Sequence, residues 1–169
     1  MDTLALLLLA ALPVLAVTAG LHDLITFRIP NWLTVALAAA FMPAALIIGL
    51  SPVQWGIHVG IGVAALIVGM AMFALRWVGG GDAKLIAATC LWLGLGGLAP
   101  FLIWTAVFGG LLSILLLTAR KYVHLAPGAP GWVGQLLEPK GGAPYGVAIA
   151  GGALMAFPHS PLFALQMAG

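Results

Sequence analysis

From its first residues the chain runs in long apolar stretches separated by short polar breaks, a pattern that leaves few folds open. The stretches are long enough to cross a hydrocarbon core of about 30 Å and show no strand-like alternation, so the spanning elements are expected to be helices rather than a β-barrel. Charged residues make up only 6% of the composition against 63% apolar, with a mean hydropathy of +1.19, and no soluble fold tolerates such a surface. The expected fold is therefore all-α and membrane-integral, a polytopic bundle of about six transmembrane helices. The opening run is expected to stay as the first span, because it begins Met1-Asp2 where a secretory signal would begin with basic residues.

Spans are expected near residues 3–21, 33–50, 56–75, 83–97, 100–118 and 143–157. The fourth and sixth are short and rich in small residues, which favours close packing against neighbours. Every basic residue, Arg28, Arg76, Lys84, Arg120, Lys121 and Lys140, falls in an odd-numbered connection or at its edge; the connections around Ser51–Trp55 and Gly97–Ala99 have none. By the positive-inside rule the basic connections face the cytoplasm and both termini lie on the opposite side. The net charge of +2 then needs no nucleic-acid partner. The connection from Arg120 to Gly142 carries Pro127, Pro130 and Pro139, which argues against a long helix. A short interfacial piece around Trp132–Leu137 reads better as a loop resting on the membrane than as a lid over a substrate. With no internal repeat and no linker, residues 1–169 are expected to form a single membrane-embedded domain.

Only four side chains are carboxylic, and two of them, Asp23 and Asp82, stand where an apolar run meets a polar break. A carboxylate is expensive to keep there, which makes it a candidate for function. Two aspartates a few ångströms apart can hydrolyse a peptide without a metal or a side-chain nucleophile: they share one proton, one carboxylate activating water while its protonated partner polarises the carbonyl. Each aspartate also has a plainer explanation. Asp82 closes the run Gly79-Gly80-Gly81 and would N-cap a helix beginning at Ala83. Asp23 would halt the first span beside Arg28, and Pro30-Asn31 would punctuate the start of the second. Capping and catalysis are compatible at Asp82, since glycine lets another backbone approach without side-chain obstruction.

Taken together, Asp23…Arg28-Ile29-Pro30-Asn31 and Gly79-Gly80-Gly81-Asp82-Ala83-Lys84-Leu85 resemble the motifs of the type IV prepilin peptidases, membrane aspartic proteases of the group named for a Gly-x-Gly-Asp motif. A weaker third match is the late element Pro144-Tyr145-Gly146. The resemblance implies Asp23 and Asp82 as the catalytic pair, with Gly79, Gly80, Gly81, Lys84, Pro30, Asn31, Pro144, Tyr145 and Gly146 shaping the site or binding substrate. It implies a helical bundle in a prokaryotic cytoplasmic (inner) membrane, acting on prepilins or pseudopilins whose basic leader lies in the cytoplasm ahead of a hydrophobic helix. Cleavage at that junction needs a site at the cytoplasmic border, where the distribution of basic residues independently puts both aspartates. Long members carry an added portion with paired Cys-x-x-Cys zinc motifs that methylates the new N-terminus, whereas this chain has the single cysteine Cys90. It is therefore similar to the short, peptidase-only form, such as the enzymes serving Flp-type or tight-adherence pili, with no cofactor and no methylation expected.

Other polar residues have mainly structural readings. Lys84, two positions past Asp82, would point away from it and snorkel to the interface. His22 would diverge from its neighbour Asp23, and His58, His124 and His159 have no common metal-ligand spacing. Trp32, Trp55, Trp77 and Trp132 fit an aromatic belt. The rival functions are a small proton-coupled transporter with the aspartates as ion sites, and a non-catalytic assembly subunit. Against a transporter, no acidic path continues to the other face.

Overall fold

The apolar runs fold as helices, and among the described residues there is no strand. The structure is a computed structural model, and it describes residues 3–123, 128, 130–139 and 141–168. Helices α1 (Thr3–Leu9) and α2 (Ala11–Thr26) are joined at Ala10, itself in helical conformation, and form one apolar unit. They are followed by α3 (Asn31–Ile48), α4 (Pro52–Ala74), α5 (Gly80–Tyr122), the short α6 (Gly131–Leu137), α7 (Gly146–Ala156), a 3-10 turn (Phe157–His159) and α8 (Pro161–Ala168). Five helical units are long and apolar enough to cross a membrane. The chain is thus an all-α, multi-pass membrane protein.

Local sequence sets the helix ends. Ser51 and Gln54 form a reciprocal capping box with Pro52 in the first turn of α4, satisfying donors that would otherwise be orphaned. At the end of α3, Gly49 takes a left-handed conformation (φ 80°) and closes the helix onto Ala45 and Leu46.

Helix α5 comprises two of the expected spans. Gly94 has φ 57° and ψ −162°, and there the chain doubles back. On the first arm, residues 80–93, Ala83 packs on Gly69 and Leu91 on Gly62, antiparallel to α4. On the second arm, residues 95–122, Gly97 meets Ala156 and Gly109 meets Tyr145, antiparallel to α7. Asp82 and Gly109 consequently lie toward the same end of the bundle. The outer connection was expected around Gly97–Ala99, but Gly97 is buried within the second arm, where a Cβ would stand 2.9 Å from Leu93 Cβ. Tertiary contact chooses the turning point: the His58 ring, bonded through Nδ1 to the Leu91 carbonyl at 2.7 Å, occupies the space beside Gly94 where a side chain would begin.

The last span also differs from the expected residues 143–157: α7 starts at Gly146, and α8 continues the apolar run to Ala168. Helix α8 packs against α1, α3 and α5. The core is built on Trp92, Phe41 and Phe101, with the Trp92 indole donating to the Leu37 carbonyl at 2.7 Å. Trp55 belongs to this cluster rather than to a belt, packing edge-on against Phe41 at 5.4 Å, whereas Trp32 and Trp77 are exposed.

Candidate active site

The site is assembled where three helix ends meet. Asp23 lies in the last turn of α2, which ends as Phe27 turns left-handed (φ 54°) and returns its N–H to the Asp23 carbonyl at 2.8 Å. Its side chain is only 5% exposed, and its Oδ2 accepts the Gly146 N–H at 2.8 Å. Gly146 is the first residue of α7, so this N–H has no partner inside its own helix and the positive end of that helix faces the carboxylate. A Cβ on Gly146 would stand 2.9 Å from both Cβ and Oδ2 of Asp23, so only glycine allows the approach. The late Pro144-Tyr145-Gly146 element is therefore brought directly onto Asp23. Tyr145 braces it, its hydroxyl end lying against Gly109.

Asp82 does not N-cap a helix beginning at Ala83. The helix begins at Gly80 with Gly79 as its cap, placing Asp82 in the first turn with its carboxylate folded back beside Gly79, where a Cβ would stand 2.7 Å from Oδ2. An acidic side chain three residues after the cap stands where a capping box puts its acid, a position that favours a helix start at the glycines. Gly81 lies against the backbone of Ile29: a Cβ there would be 3.0 Å from Ile29 Cβ and 3.3 Å from its carbonyl oxygen. The two aspartate-bearing segments thus touch through Gly81 and Ile29.

Between them lies a cavity of about 330 Å³, lined by Asp23 and Phe27–Ile29 on one side and Gly79–Asp82 on the other. Both carboxylates line this one cavity. At roughly 30 Å³ per water, the volume has room for water and a peptide group together. Both connections leading into the site contain a non-glycine residue in left-handed conformation, Phe27 and Arg76 (φ 61°), a geometry that costs energy and clusters at functional sites.

Lys84 turns away from Asp82, as its spacing implies, but it does not simply reach for the interface. Its Nζ donates to Asn31 Oδ1 at 2.8 Å, cross-linking the two motif segments. Pro30, in extended conformation, caps α3, and Ile29 before it is buried. The His22 Nδ1 contacts the Arg28 carbonyl at 2.7 Å and Thr26 Oγ1 at 2.9 Å, so His22 shapes the turn behind Asp23. His58 is buried beside Gly94 and His159 lies in the 3-10 turn, both away from the aspartates; His124 lies outside the described residues, as does Lys140. No described residue of α6 lines the cavity.

Two contributors escape a reading of the sequence. Phe27 lines the cavity from a left-handed position that a bulky residue rarely adopts, so nothing local announces it. Arg120, one of the cations that mark the basic face, donates to the Leu136 and Gly142 carbonyls at 2.9 and 2.7 Å.

No curated protein and no solved structure matches the chain. A family model does, that of the type IV leader peptidase family, over residues 10–114, which is more than half of the chain and includes both aspartates. With that match added to two aspartate-bearing segments closed around one polar cavity, the chain belongs to the type IV leader peptidase family and is a peptidase.

Proposed function

We propose that this chain is an aspartic endopeptidase that removes the leader from type IV prepilins or pseudopilins, with Asp23 and Asp82 as its catalytic pair. The observation that carries the reading is the shared cavity: two carboxylates from opposite segments face one polar space, with Asp23 oriented by the Gly146 N–H. One carboxylate takes a proton from water as the oxygen adds to the scissile carbonyl carbon. Its protonated partner donates to the carbonyl oxygen, giving a neutral diol. Collapse of the diol breaks the C–N bond as one diol hydroxyl returns its proton to the partner carboxylate and the proton gained from water passes to the leaving nitrogen, and the products are a carboxylic acid and a free N-terminal amine. Glycines 79 to 81 line the cavity, and their lack of side chains admits the Asp82 carboxylate, the Phe73 ring and Ile29 where a Cβ would otherwise stand, which draws the two segments together.

The same reading assigns residues 1–169 to a membrane-embedded peptidase domain similar to those of Flp-type systems. It puts the site at the cytoplasmic face of a prokaryotic inner membrane with both termini outside. Membership of a peptidase family weighs against the transporter and the assembly subunit. The test uses the purified chain in liposomes with a fusion of a basic leader to an apolar helix. Asp23→Asn and Asp82→Asn should each insert at normal abundance and yield no shortened product. Substantial processing by either variant would remove that aspartate from the pair.

A further inference from the structure

We propose that Arg120 is a positioning residue for the peptidase reaction, holding in place the segment that delivers the Gly146 N–H to Asp23. The inference rests on the reading of Asp23 as catalytic. Arg120 sits in the last turn of α5, and its guanidinium forks between two backbone carbonyls, Nε–H to Leu136 at 2.9 Å and Nη2–H to Gly142 at 2.7 Å. The Leu136 carbonyl belongs to the last turn of α6 and has no acceptor role within that helix, so the cation also caps α6. Gly142 is followed by Ala143 and the buried Pro144, whose ring fixes its own φ and removes slack from the chain. Tyr145 and Gly146 come next, and the Gly146 N–H is the one on Asp23 Oδ2. A shift at Gly142 therefore travels through a short, stiff lever to the hydrogen bond that orients Asp23.

A plainer role would be that of a positive charge marking the basic face. Lys121 carries the same charge at the same helix end, and its Nζ lies over the Tyr122 ring at 5.2 Å. A lysine in place of Arg120 would keep the charge but, with one terminal nitrogen on a flexible stem, would lose the planar fork. Charge and fork are thereby separable.

The experiment compares wild type, Arg120→Lys, Arg120→Gln and Lys121→Gln in liposomes, with two readouts. Amide hydrogen exchange over residues 141–149 should quicken about tenfold in both Arg120 variants and stay unchanged in Lys121→Gln. With the leader–helix fusion as substrate, kcat should fall about tenfold in both Arg120 variants with KM within twofold, because a displaced orienting group costs turnover rather than binding. Wild-type exchange and kcat in Arg120→Lys would overturn the proposal, as would a rise in KM at constant kcat. Should Asp23→Asn retain activity, the catalytic reading of Asp23 fails, while the exchange result still decides whether Arg120 holds the segment.

Discussion

Gly146→Ala is the smallest change that reaches the site, adding one methyl group where α7 meets α2. The new Cβ would lie 2.9 Å from Asp23 Cβ, 2.9 Å from its Oδ2 and 3.1 Å from Ile29 Cδ1. Carbon atoms rest at about 3.5–4.0 Å, so the start of α7 must retreat by roughly 0.6–1 Å. The Gly146 N–H to Asp23 bond, now 2.8 Å, would stretch beyond the range of a hydrogen bond. A hydrogen bond to a charged group contributes about 1.5–3 kcal/mol, which, if lost entirely from the transition state, is roughly a 10- to 150-fold fall in rate. Overpacking also costs about 1–3 kcal/mol of stability, so initial rates must be compared at matched amounts of folded protein. Gly60→Ala on α4 is the control, since nothing lies within 4 Å of a Cβ there. Processing by Gly146→Ala within twofold of wild type would refute the reasoning, because the contact leaves no space for the methyl without moving the N–H.

Gly81→Val should lower turnover about tenfold or more at matched folded levels, because its Cβ meets Ile29 Cβ at 3.0 Å beside Asp82; near-wild-type turnover would reduce the glycine run to punctuation. Gly97 is no control for it, being packed itself. Lys84→Met should cost about 1 kcal/mol, roughly fivefold in processing rate, and adding Asn31→Ala should cost little more, since both changes remove one partly exposed hydrogen bond. Additive losses in that double-mutant cycle would show that the two act separately. For the membrane orientation, a cysteine at Val53, 72% exposed, should react with an impermeant thiol reagent in intact cells, while one at Tyr122 should react only after permeabilisation. Reaction at Tyr122 from outside would reverse the proposed topology.

Much of the bundle is legible in the chain because lipid demands continuous apolar runs, and the ends of α3 and α4 carry ordinary capping chemistry at Gly49 and Ser51. The turn in α5 is a different matter. Gly94, Gly96 and Gly97 are equivalent as local signals, and what distinguishes Gly94 is the His58 ring, contributed by a helix that precedes it by more than thirty residues. Likewise Asp82 looks like an N-cap because aspartate after glycines so often is one. It is instead a first-turn residue, since the helix starts two glycines earlier with the Asp82 carboxylate folded back beside the Gly79 cap.

The same distinction between local and distant causes runs through the site. Each aspartate-bearing motif is compact, its residues within a few positions of one another, so both can be found by inspection. The bonds that unite them are separated by 53 residues for Lys84 and Asn31 and by 123 for Gly146 and Asp23, and no periodicity connects such pairs. Lys84 shows the consequence. Its spacing from Asp82 correctly excludes contact with that carboxylate, yet spacing within one helix says nothing of which neighbour the side chain will meet. Arg120 is harder still, because a cation at a helix end on the basic face already has a sufficient explanation in the proposed membrane topology. Only the fork of its guanidinium onto Leu136 and Gly142, the latter four residues ahead of the N–H bonded to Asp23, ties it to the proposed catalytic pair.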